Sequence, residues 1–218
     1  MLIYRKETPY FAITLDLGRN ELKILQRWKY SWAIAPGSGK WTYAETKNFH
    51  HKVDRLIWSV WGSRFELKLA QGSKIPANYK VGPVKTYFDV KWVLDNSAHW
   101  KVTVTKIKRG AFQQSYIRWN TREISLDTED TTKTLKYING PVRSYQYGLT
   151  HEFGHTLGNV AYTPSGHGDE YASGSAYLAD FPSIMNSGNE LRQRHLDFIK
   201  QTLNSMIPGV KFDISHVR

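Results

Sequence analysis

Segments in which apolar and polar residues alternate run through the middle of the chain, and they restrict it to folds built on a half-buried sheet. The alternation occurs at residues 65–69, 88–94, 100–104 and 124–126. Successive side chains of a strand point to opposite faces, so this pattern indicates strands with one face in the core. We expect these strands to form one twisted, mixed sheet of about four or five strands.

Three other segments have the spacing of amphipathic helices. Residues 42–61 carry apolar side chains at helical intervals, and Gly62 favours a helix end directly after them. Residues 144–159 and 190–206 show the same periodicity, and a loop of roughly 30 residues, rich in Gly, Ser, Asp and Tyr, separates them. Together with the strands, these helices predict an α+β fold.

The N-terminal segment predicts a β-hairpin. Residues 11–17 alternate between apolar and polar or small side chains, a turn signal follows at 18–20, and the alternation resumes at Leu22. Residues 35–40, with the sequence Ala-Pro-Gly-Ser-Gly-Lys, are typical of a loop. The hairpin therefore ends before the first predicted helix begins.

The charge of the chain is unevenly distributed. Its formal net charge is +11, from 30 Lys and Arg against 19 Asp and Glu. Residues 1–140 hold 24 basic against 12 acidic residues, whereas residues 141–218 hold six against seven. The basic region 1–140 therefore carries the positive charge that is needed to bind an anionic polymer.

The composition also excludes several classes of protein. Because the chain has no cysteine, disulfide frameworks, cysteine-ligated zinc, iron–sulfur clusters and thiol catalysis are excluded. No segment approaches the ~20 apolar residues of a membrane helix, and the first residues lack the apolar stretch of a signal peptide. We expect neither a membrane span nor a signal peptide, and the compartment stays open.

His151, Glu152 and His155 form an H-E-x-x-H motif inside the predicted helix 144–159, and Gly158 follows it. At ~100° per residue, the two histidines share one helix face, and apolar residues occupy the opposite face. Two imidazoles spaced in this way can bind one Zn²⁺, with the intervening glutamate rotated toward a metal-bound water. The alternative is a helix with two incidental surface histidines and a salt-bridged glutamate.

This motif resembles that of the metzincin-like zinc peptidases, which continue H-E-x-x-H-x-x-G with a third ligand, histidine or aspartate. Here Ala161 stands at that position and cannot bind metal, so we expect the ligand in the loop that follows. Asp169 is the first candidate, because its Gly-Asp-Glu-Tyr setting is similar to a Gly-x-Asp-Glu-Tyr segment in metzincin-like bacterial proteins. His167 is the alternative third ligand, and Glu170 is the third candidate.

Residues 182–186, Pro-Ser-Ile-Met-Asn, resemble the metzincin Met-turn, in which a methionine forms an apolar floor under the zinc histidines. Met185 would be that methionine, and its alternative role is that of an ordinary core residue. The resemblance implies a twisted mixed sheet with a backing helix, an active-site helix and a C-terminal helix. It leaves 1–40 as an accessory hairpin and makes 41–218 the metallopeptidase domain. His195 lies on the last predicted helix, where we expect a surface position; the alternative is that it orients or replaces a ligand.

The resemblance implies a zinc-dependent metalloendopeptidase that cleaves a polypeptide lying along an exposed edge strand. His151, His155 and Asp169 would hold one Zn²⁺, and Glu152 would act as the general base. One alternative is the same chemistry on the peptide crosslinks of an anionic cell-wall polymer bound by residues 1–140. The other is a basic nucleic-acid-binding protein with a non-catalytic H-E-x-x-H, although no nucleic-acid-binding motif is present. A bacterial effector or toxin domain, exported by a dedicated secretion machine, fits the missing signal peptide.

Overall fold

The computed structural model describes residues 3–76, 79, 82–139, 142–163 and 166–218. In chain order the strands are β1 (Ile3–Glu7), β2 (Ala12–Asp16), β3 (Glu21–Ile34), β4 (Phe65–Leu69), β5 (Val84–Trp92), β6 (Trp100–Lys106), β7 (Tyr116–Arg118), β8 (Glu123–Asp127), β9 (Lys133–Asn139), β10 (Val142–Tyr147) and β11 (Phe212–Val217). The helices are α1 (Tyr43–Trp61), α2 (Gly148–Thr156) and α3 (Asp197–Asn204), and a 3-10 turn at Gln193–Leu196 precedes α3.

Nine of the strands form one mixed sheet, and seven of them follow the order β11-β4-β5-β3-β6-β8-β7. The other two extend it from β3, since β2 pairs with β3 and β1 pairs with β2. β3, β5, β6 and β8 run parallel, whereas β4, β7 and β11 are antiparallel to their neighbours. The prediction of an α+β fold with a mixed sheet is confirmed. The sheet is larger than expected because the N-terminal hairpin and short edge strands extend it.

The N-terminal hairpin is built into the middle of this sheet. β2 pairs with residues 21–25 of β3 across the predicted turn. The parallel strand β5 pairs with residues 21–28 of β3, and the parallel strand β6 pairs with residues 28–34. Trp28 marks the change of neighbour, since it is in register with Trp92 of β5 and with Trp100 of β6. The apolar face of the hairpin, including Ile13, Leu15 and Leu22, belongs to the same core cluster as the later strands.

α1 forms where its periodicity predicts it. Thr42 caps the helix: its hydroxyl accepts the backbone N–H of Glu45, and the Glu45 carboxylate accepts the Thr42 N–H. At the other end, the Gly62 N–H donates to Trp58 O. The buried face of α1 includes Phe49, Val53, Ile57 and Trp61.

The other two helices are shorter than predicted. Residues 144–147, expected in the active-site helix, belong to β10 and pair with β9, so α2 begins only at Gly148. The helix expected at 190–206 is divided into the 3-10 turn and α3, because Glu190 is held extended by a parallel bridge to Ser183. In both cases pairing with a neighbouring segment of the chain overrides the local apolar spacing.

The helices that carry the site pack on one face of the sheet. Trp61 of α1 contacts Phe88 of β5 and Phe153 of α2, with ring centroids 5.9 and 5.7 Å apart. Gln26 of β3 donates through Nε2 to the hydroxyl of Thr156 at 2.9 Å, so a buried polar bond also fixes α2 to the sheet. Within the described part of the chain, no helix has the length and apolar character needed to cross a bilayer.

Candidate metal centre

α2 carries the H-E-x-x-H motif, and its surroundings fix its rotation. Leu149 and Phe153 are buried in the core, and Trp61 Nε1 donates to Thr150 O at 3.1 Å. His151 and His155 therefore lie on the opposite side of the helix, with their rings 4.9 Å apart. The helix ends where Gly158 adopts a left-handed backbone conformation (φ +102°).

Three side chains converge beside this helix. Asp169 Oδ1 lies 3.1 Å from Nε2 of His151 and 3.1 Å from Nε2 of His155. On the other side of each ring, Nδ1 lies 2.8 Å from Ile184 O for His151 and 2.6 Å from Asn159 O for His155. A carbonyl can only accept, so Nδ1 of each ring carries a proton. Nε2, which faces Asp169, is the ring atom that would bind a metal in place of its own proton.

The ligand atoms of His151, His155 and Asp169 lie within 4.8 Å of one another, so this group could hold a metal ion. Two imidazoles and one carboxylate are a donor set that zinc accepts, and three protein ligands leave a fourth position for water or substrate. The fixed Nδ1 protons orient both rings as ligating histidines require. The residues present therefore fit a zinc ion.

The three loop candidates lie in different places. Asp169 joins the two histidines, whereas Ala161, at the position expected from the family pattern, is exposed. The His167 ring lies against Tyr177 at 5.2 Å and outside the group that could hold a metal. Glu170 is fully buried and binds Arg194 through both oxygens.

The charge of Asp169 is stabilised by its neighbours. Burial by itself would raise the pKa of this carboxyl, but hydrogen bonds from His151 and His155 hold it well below its usual range. The pKa of His155 is raised: burial opposes its charge, whereas Asp169 and Glu152 favour it. The three candidate ligands thus attract one another in the protein without a metal ion.

The segment resembling a Met-turn lies directly against α2. Met185 is fully buried, and a Cβ atom added to Gly154 would lie 2.4 Å from its Sδ. The neighbouring carbonyl of Ile184 is the one that accepts from His151. Glycine at position 154 therefore allows this turn to approach the helix and orient a candidate ligand.

Ion pairs that the sequence analysis did not predict hold the long loop in place. Arg194 binds Glu170 and Asp180, and Arg192 binds Asp180 at 2.7 Å. His195, expected on a helix surface, is 1 % exposed, with Nε2 3.3 Å from Glu170 Oε1. Burial lowers the pKa of His195 to about 4, although Glu170 opposes this shift. No local sequence signal distinguishes these residues from surface charges.

Asp130 is a second group that the sequence analysis missed. Its Oδ2 accepts from Ser115 Oγ at 2.5 Å and from Asp127 N at 2.7 Å. Burial raises the pKa of Asp130 to about 7, partly opposed by these two hydrogen bonds and reinforced by the charges of Asp127 and Glu152. This carboxyl therefore lies close enough to Glu152 for the two charges to interact.

The candidate ligands lie between two cavities. A cavity of 560 Å³ is lined by His155, and one of 370 Å³ is lined by His151. Both are lined by Glu152, Tyr171, Ser115 and Gln114, so the two cavities adjoin at the site, and we refer to them together as the cleft. β7 lies along one wall and pairs only with β8 among the described residues, which leaves its other edge open.

Comparison of the chain with protein-family models, with curated proteins and with solved structures finds no match. Function is therefore inferred from the geometry and chemistry of the site.

Proposed function

We propose that this chain is a zinc-dependent metalloendopeptidase with a metzincin-like fold. The observation that carries the proposal is the convergence of His151, His155 and Asp169 beside Glu152, on the floor of a cleft that is open on both sides. A structural zinc site is closed by four protein ligands, whereas three ligands facing a cleft are typical of a catalytic site.

The chemistry divides between the metal and Glu152. A zinc ion held by the three ligands supplies a Lewis acid that lowers the pKa of water to about 7 and polarises a carbonyl. Glu152 accepts the proton of the attacking water as the new C–O bond forms, and it delivers a proton to the amine as the C–N bond breaks. Its side chain faces both cavities, so it can reach the scissile bond from the floor of the cleft.

An extended polypeptide fits the cleft better than a compact ligand does. The open edge of β7 offers backbone N–H and C=O groups to a strand laid beside it. Residues 114–117, in and directly before β7, line the cavity on the His155 side. A substrate strand along this edge would run past Glu152 and the candidate ligands.

The test is the separation of metal binding from hydrolysis. We expect Glu152→Ala to retain zinc and to lose hydrolysis of denatured casein. Iron is measured together with zinc, because the same donor set can hold Fe²⁺. The matched control Glu21→Ala, at the start of β3 and outside the cleft, should retain zinc and hydrolysis. Hydrolysis by Glu152→Ala at the wild-type rate, or no hydrolysis by the zinc-loaded wild type, would contradict the proposal.

A further inference from the structure

The cavity on the His155 side has few charged groups in its wall. Among the described residues that line it, Glu152, Asp169, His155 and His167 can carry charge near neutral pH, and none of the others is Lys, Arg, Asp or Glu. The cavity on the His151 side differs, because Lys136 and Asp130 line it in addition to Glu152. The two sides of the site therefore offer different chemistry to a bound chain.

Small residues make the cavity on the His155 side wide. Eight of its described lining residues carry no side chain or one of at most two heavy atoms: Ser115, Ala161, Gly166, Gly168, Ala172, Gly174, Ser175 and Ala176. Its volume of 560 Å³ is within the range of cavities that enclose a ligand of several rings. A small side chain would leave most of this space empty or filled with water.

Tyrosines form the rim of the same cavity. Tyr116, Tyr162 and Tyr171 line it and are 40 %, 76 % and 53 % exposed. Tyr177 also lines it, with the Arg194 guanidinium 4.0 Å from its ring centroid. Exposed aromatic rings bind most favourably to another large apolar or aromatic group, because the contact removes apolar surface of both from water.

We propose that this cavity binds a bulky, uncharged side chain, aromatic or branched apolar, of the substrate residue next to the scissile bond on the His155 side. Beyond the groups at the candidate metal centre and His167, the described wall offers no charged side chain to replace the hydration of a charged substrate residue. A small substrate side chain would leave the tyrosine rim uncovered. The proposal rests on the proposed peptidase function and adds the substrate class of the same cleft.

Two substitutions fill the cavity without disturbing the site. A Cβ atom added to Gly174 would have no heavy atom within 4 Å, and Ala176 is an exposed lining residue. Gly174→Trp and Ala176→Trp should each place an indole at the cavity. Gly39→Trp is the matched control, because Gly39 has the same free space around its Cβ position and does not line the cavity.

The experiment uses peptides that differ only at the residue beside the scissile bond: Phe, Leu, Ala, Lys, Glu, or Thr carrying one sugar. Binding to zinc-loaded Glu152→Ala protein is measured by fluorescence anisotropy, and hydrolysis by wild type and the tryptophan variants is measured as kcat/KM. We expect the Phe and Leu peptides to exceed the Ala peptide by about tenfold or more in both measurements, and the Lys and Glu peptides to fall below it.

The tryptophan variants then locate the preference. Gly174→Trp and Ala176→Trp should bring the Phe-to-Ala ratio close to one, whereas Gly39→Trp should leave it unchanged. Equal binding of the Phe and Ala peptides, or strongest binding of a charged or glycosylated peptide, would overturn the proposal. Selective binding of the Phe peptide without hydrolysis by the wild type would contradict only the peptidase function.

Discussion

Glu170 and Arg194 form a bidentate ion pair inside the protein. Nε of Arg194 lies 2.6 Å from Oε1, Nη2 lies 2.8 Å from Oε2, and Glu170 is fully buried. Burial by itself would raise the pKa of Glu170, but the hydrogen bonds from Arg194 and His195 hold it well below its usual range. Because Glu170 follows Asp169 directly, this ion pair fixes the backbone that presents Asp169 to the two histidines.

Removing Arg194 should therefore weaken both the fold and the metal site. Arg194→Leu leaves a buried carboxylate without its partner, and we expect the free energy of unfolding of the metal-free protein to fall by about 3–5 kcal/mol in urea titrations. Zinc affinity should fall by about 10–100-fold, as for other residues that orient a ligand. Arg118→Leu is the control, since its exposed pair with Glu123 is worth at most about 1 kcal/mol. Equal losses in the two variants would contradict this account.

Zinc content should distinguish Asp169 from His167. We expect about one zinc per chain in the wild type and in His167→Ala, and loss of zinc in Asp169→Ala, His151→Ala and His155→Ala. Metal analysis after dialysis against buffer measures this directly. Full zinc occupancy in Asp169→Ala together with loss in His167→Ala would show that the ligand is the histidine.

Asp130 should make the stability of the metal-free protein depend on pH. Its pKa rises from 3.8 to about 7 on folding, so the folded protein binds more protons than the unfolded chain within this window. The contribution of Asp130 to stability is therefore complete below about pH 4 and is lost as the pH rises toward 7. Relative to that of Asp130→Asn, the free energy of unfolding of the wild type should fall by up to about 1.4 kcal/mol per pH unit as the pH rises through this window. Parallel pH profiles of the free energy of unfolding would contradict the prediction.

Gly154 and Met185 should be energetically coupled. A Cβ atom at position 154 would lie 2.4 Å from Sδ of Met185 and 3.1 Å from Cζ2 of Trp61, so Gly154→Ala should cost about 1–3 kcal/mol of stability. Met185→Ala removes the closest atom, and the double variant should lose less stability than the sum of the single variants. Gly39→Ala, which has free space around its Cβ position, should be close to neutral. Strict additivity would show that the turn and the helix do not compete for this space.

The parts of the fold that could be predicted are those whose signals lie within one segment. α1 combines apolar periodicity, a capping box at Thr42 and a terminating Gly62, and all three signals lie within residues 42–62. The start of α2 could not be predicted, because residues 144–147 have helical spacing as well as strand alternation. Only pairing with β9 decides between the two.

The candidate site shows the same limit. His151 and His155 follow from the geometry of one helix, and Asp169 was first among three loop candidates because of the residues around it. The buried hydrogen bond of Asp130 and the ion pair of Glu170 with Arg194 could not be found in this way, because the partners lie 15 and 24 residues apart in the sequence. The composition of the loop does not reveal which of its acids is buried against an arginine.

The position of β3 has a consequence for the speed of folding. β1, β2 and β3 contact one another locally, so this meander can form early. The parallel neighbours of β3, however, arrive only after α1 and β4 have been added to the chain. A sheet whose centre depends on such distant parallel pairings has a high contact order, and its chain closes large loops before their contacts stabilise it. We therefore expect slow folding, during which the unpaired edge of β3 is exposed to other chains.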